Sequence, residues 1–177
     1  MGMIHPQHPL RRFLAGFTEH TFMNELGVGD PRLVDYLSEL LSRFLHTDAI
    51  YRLRNAQGRR LDEVVEMVIE AQGLPPEGRT TREVHRHIGD YTLFWTGVFP
   101  EQVRKQRSPT SRDQFIDYCE TGKRSYYIAS TFADDQAPVL RRLSTEFELC
   151  AYGLTQVRRE WEKSQPPPGN TAGPLLS

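Results

Sequence analysis

From Leu140 to Trp161 the apolar residues Leu140, Leu143, Phe147, Cys150, Leu154, Val157 and Trp161 recur at alternating intervals of three and four. That period sets them along one side of an α-helix, as an a/d seam of about three heptads. A strand, whose sides alternate every second residue, does not produce it. Ala137-Pro138 suits the opening of this helix, with Asp134 or Asp135 as the capping acceptor. A stripe of this length must be covered, and the sequence allows two ways: as the spine of a helical core or as a contact with a second copy.

The rest of the chain repeats the helical period. Leu10, Phe13, Leu14 and Phe17 mark a first helix, which Gly27 and Gly29 terminate. Asp30-Pro31 then pairs an N-cap acceptor with a residue suited to the first helical position. Leu33, Val34, Leu37, Leu40, Leu41, Phe44 and Leu45 follow as an unbroken stripe, so this helix is expected in the core. Residues 49–54 read as a short helix or an ordered connection. Leu61, Val64, Val65, Val68 and Ile69 predict another helix, with Glu66 and Glu70 on its outer face and Gly73 at its end. Thr80 and Glu83 fit a capping box for a helix from Thr81 to Phe99, which Pro100 closes. Phe115, Ile116 and Cys119 predict a helix stopped by Gly122, and a second short one holds Tyr126, Tyr127, Ala129 and Phe132. With no sustained strand alternation, the expected fold class is all-α. The expected architecture is a single-domain bundle of about six or seven helices over residues 1–164, with a long C-terminal helix and a disordered Pro/Gly-rich tail over 165–177.

Charge and cysteine content narrow the partners. Twenty-two Lys and Arg against 23 Asp and Glu leave a net charge of −1, which removes bulk attraction to a polyanion. The arginine clusters, such as Arg104, Lys105, Arg107 and Arg112, are interleaved with acids, so solvated faces and ion pairs account for them and nucleic-acid binding is not expected. No apolar run approaches the ~18 residues of a membrane span. Met1 to Leu10 lacks an apolar targeting segment, and the expected location is the cytoplasm. Cys119 and Cys150 sit within apolar helical patterns and read as reduced core residues.

The helix over 81–99 carries the most suggestive chemistry. At about 100° per residue, Val84, His87, Ile88, Tyr91, Phe94, Trp95 and Val98 share one half of its circumference. His87, Tyr91 and Trp95, joined by His85 and Asp90, are the candidate ligand-binding residues, an imidazole, phenol and carboxylate set beside aromatic rings. His85 and His87 lie two residues apart, about 200° around the axis, so they do not chelate one ion from a helix. Glu-x-x-His pairs of the di-metal kind do not occur, and Glu63, Glu66 and Glu70 have no histidine partner. Haem held by a single histidine needs no motif and stays open for His20, His46 and His87. No metal or catalytic residue is assigned, and the sequence names no cofactor.

Two function classes fit this pattern best, with nucleic-acid binding through the clustered arginines as a further alternative. One is a non-catalytic module that binds a protein partner or assembles with itself, through the seam helix or the Tyr126-Tyr127 region. The other is a small-molecule or haem-binding helical protein, with or without enzymatic activity, with its pocket around His87 and Tyr91.

Overall fold

The computed structural model describes residues 9–44, 64–105 and 114–164. The expected elements at 49–54, the tail over 165–177, His46 and the loop after Lys105 lie outside them. The fold is all-α. Eight α-helices and one π-helical turn are described, and no strand occurs among the described residues. The helices are α1 (Pro9–Glu19), α2 (Pro31–Phe44), α3 (Val64–Gln72), α4 (Arg79–Val98), α5 (Pro100–Lys105), α6 (Gln114–Ser130), α7 (Ala137–Thr145) and α8 (Phe147–Ser164).

After α1 the chain widens into a π turn at His20–Glu25, which the apolar spacing does not reveal. Gly27, at φ 68°, takes the left-handed conformation that glycine tolerates, and the chain leaves the helical path there. Asp30 caps α2 as its position suggests: its carboxylate accepts the Arg32 amide at 3.0 Å and its carbonyl the Val34 amide at 3.1 Å. The same carboxylate accepts Arg142 Nη1 at 2.8 Å, which ties the start of α2 to α7.

Helix α4 lies at the centre, packed most extensively on α6 and also on α8, α3 and α5. From His87 to Phe94 every residue is buried, so α4 is covered on all sides rather than along one face. Gly89 makes this possible on the α6 side, because a Cβ there would come closer than 3.0 Å to the Tyr126 ring.

Four local expectations are corrected. The Thr80/Glu83 capping box does not form: Gly78 is the N-cap of α4, without a side-chain bond, and Glu83 binds Arg82 and Arg86 instead. Gly122 is not a helix stop. It lies inside the continuous α6, where a Cβ would come closer than 3.0 Å to the Phe147 ring and the Thr92 hydroxyl. Asp134 accepts the Gln136 amide at 2.7 Å, but the N-cap of α7 is Gln136, with no side-chain bond. The long C-terminal helix is broken at Glu146 into α7 and α8. Just before the break the Thr145 hydroxyl donates to the Arg141 carbonyl at 3.0 Å, a competing bond of the kind that bends helices.

The seam survives the break as far as Val157, while Trp161 at its end is only partly buried. Leu140, Leu143, Phe147, Cys150 and Leu154 are 0% exposed and Val157 is 1% exposed, all within this one chain. It is the spine of the core, and the alternative of a seam left free for a second copy is set aside. Helix α3 keeps part of its expected stripe, since Val64 is buried and Val68 packs against the core, but Met67 and Ala71 complete the inner face while Val65 and Ile69 face out.

Candidate functional site

Asp90 is 0% exposed, and three helices meet at its carboxylate. Its Oδ1 accepts the Tyr36 hydroxyl from α2 and the Tyr126 hydroxyl from α6, both at 2.7 Å. Its Oδ2 accepts Nη2 of Arg43, at the end of α2, also at 2.7 Å. Burying a carboxylate costs several kcal/mol unless it is paired and hydrogen-bonded, and here both oxygens are engaged. Short bonds to a charged acceptor are of the stronger kind.

The protonation of the surrounding groups follows from the same geometry. Burial, reinforced by the Asp90 charge, pushes the Tyr36 and Tyr126 phenols well above their ordinary pKa, so both remain donors. For Arg43 burial opposes the charged form, but the Asp90 carboxylate more than offsets it and the cation is held more firmly than usual. Arg86 stays charged in the same way, its Nη1 bonded to Gln136 Oε1 at 2.8 Å. The result is a closed acid, base and phenol network spanning α2, α4 and α6.

The other expected site residues fall into different surroundings. His87 is 6% exposed and stacks on Phe44, with ring centroids 5.8 Å apart. Tyr91 follows at 6.4 Å from His87, and Trp95 at 6.2 Å from Tyr91. Phe94 and Phe99 extend this run, 5.9 Å and 5.3 Å from Trp95. His87, Tyr91 and Trp95 are therefore brought together, as one aromatic row. His85 is not among them: it faces α6, with Nδ1 3.4 Å from the Ser125 hydroxyl. Burial, aided by the Arg124 charge, lowers its pKa and favours the neutral ring. Asp90 binds Tyr36, Tyr126 and Arg43 rather than the histidines.

Sequence reasoning missed Tyr36 and Arg43, and it read Tyr126 as part of a contact surface. Tyr36 and Arg43 are seven residues apart, two turns along one side of α2, and that spacing is the signal that marks them. Tyr126 is 0% exposed, while Tyr127 is 48% exposed with the Arg141 guanidinium 4.6 Å above its ring.

No group of three His, Cys, Asp or Glu side chains that could hold a metal ion occurs among the described residues. Several basic residues are held by acids: Arg82 by Glu83 and Asp134, Arg142 by Glu146 and Asp30, and Arg158 by Glu162 and Glu101. No described helix is long and apolar enough to cross a membrane. No protein-family model matches this sequence, and no curated protein or solved structure matches it.

Both cysteines are buried and neither is in a disulfide, and burial pushes the Cys150 thiol up to about 12. A thiol reacts as its thiolate, so Cys150 is expected to resist alkylation in the native protein at pH 8. Mass spectrometry after iodoacetamide should show no adduct at Cys150 until denaturant is added. Rapid native labelling at Cys150 would contradict its place in the core.

Proposed function

We propose that this chain is a non-catalytic helical module of the cytoplasm that acts by binding a protein partner or a second copy of itself. The observation that carries this reading is the outer face of α3. Val65 and Ile69, one turn apart, are 60% and 63% exposed, beside Glu66 and Glu70. Each such side chain gains roughly 1.5–3 kcal/mol on full burial, so a partner that covers the pair has a source of affinity that the fold leaves unused. The closed Asp90 network supports the same reading from the other side, since its carboxylate is fully occupied in joining helices.

A second reading, a small-molecule pocket along His87, Tyr91 and Trp95, draws on one feature. The Trp95 indole N–H is buried and has no acceptor, and a ligand oxygen or a water would satisfy it.

Photo-crosslinking tests the first reading. A benzophenone side chain placed at Ile69 should give a discrete adduct of defined mass, either a dimer of this chain or a complex with one partner. The same group at exposed Asp35 of α2 should not. Equal, diffuse labelling at both positions would contradict an interaction surface on α3.

A further inference from the structure

Apart from the Asp90 network and the α3 face, α4, α5, α6 and α8 line a half-open surface cleft of about 260 Å³. At roughly 30 Å³ per water this is room for about nine waters, or for one flat ring system. Phe115 and Tyr152 supply aromatic walls, and Tyr152 is 55% exposed. Arg104 and Arg159 also line it.

Charge within the cleft is unbalanced in a specific way. Its two acids are already engaged: Glu101 lies 3.3 Å from Arg158 Nη1, and Glu148 is paired with Lys123. Among the described residues neither Arg104 nor Arg159 forms an ion pair within 4.0 Å, although the Arg104 charge also acts on Glu101 from farther off. Arg104 instead sits 4.2 Å above the Phe115 ring centroid. A guanidinium stacked on a ring is held in place while the N–H groups around its edge remain directed outward, which suits a planar carboxylate. The Thr155 hydroxyl is not part of this donor set, since its proton goes to the Gly97 carbonyl.

We propose that this cleft is a binding site for a small planar aromatic carboxylate. The ring lies against Tyr152 and Phe115, and the carboxylate is held by Arg104 and Arg159. This site does not depend on the α3 reading, and either can fail without the other.

The test is a titration of the isotope-labelled full chain, followed by NMR, with 2-naphthoate as the probe. Its neutral relative 2-naphthamide and inorganic phosphate are titrated in parallel. For a ligand of about thirteen heavy atoms, a Kd on the order of 1 mM is expected. The shifts should be saturable and centred on Tyr152, Thr155 and Gln156. Arg159→Gln and Arg104→Gln, both at exposed positions that leave the fold intact, should each weaken binding about tenfold. 2-Naphthamide should bind about tenfold more weakly than 2-naphthoate, and phosphate, lacking the ring, weaker still. The proposal is overturned by shifts that do not saturate, by shifts centred elsewhere, by equal binding of acid and amide, or by arginine variants that bind like the parent.

Discussion

Replacing Asp90 with alanine is expected to lower the unfolding free energy by about 3–5 kcal/mol, a large share of what a domain of this size has. The cost arises less from the lost attraction than from what remains. Arg43, whose side chain is 18% exposed, is left with its charge but without the acceptor that binds it, and two phenols lose theirs as well. Asp90→Asn keeps the shape and one acceptor oxygen, so its loss should be smaller. Tyr36→Phe and Tyr126→Phe each remove a single bond to a charged group and should cost about 1–3 kcal/mol. Urea melts with an unchanged m-value are the measurement, and an Asp90→Ala midpoint within error of the parent would contradict the role assigned to the network.

The second large effect is expected at Gly122. Alanine is the better helix former by roughly 0.5–1 kcal/mol, and α6 is an unbroken helix through this position. A Cβ at 122 nevertheless has no room, because Phe147, 0% exposed, and the Thr92 hydroxyl already occupy the space. Overpacking of this kind costs about 1–3 kcal/mol, which outweighs the gain, so Gly122→Ala should destabilise. Gly16, inside α1, is the internal control: nothing lies within 4 Å of the Cβ it would carry, and Gly16→Ala should stabilise by roughly 0.5–1 kcal/mol. Thermal melts of the two variants should move in opposite directions. A stabilised Gly122→Ala would mean that α6 and α8 are not in close contact there.

This contrast shows what a sequence makes legible and what it does not. The stripe of α2, the Asp30 cap, the close of α4 at Pro100 and the buried seam of α7 and α8 are periodic or local signals, and the structure follows them. Gly122 reads as a stop because the residue that requires its small size, Phe147, comes 25 positions later in the sequence. Glu83 fits a capping box by spacing, but two arginines on the same helix compete for it. Asp90 stood out as a chemically suggestive residue, yet its true partners lie 54, 47 and 36 residues away, at Tyr36, Arg43 and Tyr126. No local pattern joins them. In α3 apolar residues occur on more than one side, and packing on α4 decides that Val64 and Val68 turn inward with Met67 and Ala71 while Val65 and Ile69 do not.

The polar heart of the molecule, the Asp90 carboxylate with Tyr36, Arg43 and Tyr126, joins α2, α4 and α6. The most direct test is a double-mutant cycle on Arg43 and Asp90, with urea unfolding of the parent, Asp90→Ala, Arg43→Met and the double variant. A structural network predicts that each single variant is clearly destabilised and that the pair is less so than the sum, with a coupling above about 1 kcal/mol. A carboxylate kept buried for function at the expense of stability predicts the reverse, an Asp90→Ala protein as stable as the parent or more so, and that result would contradict the account.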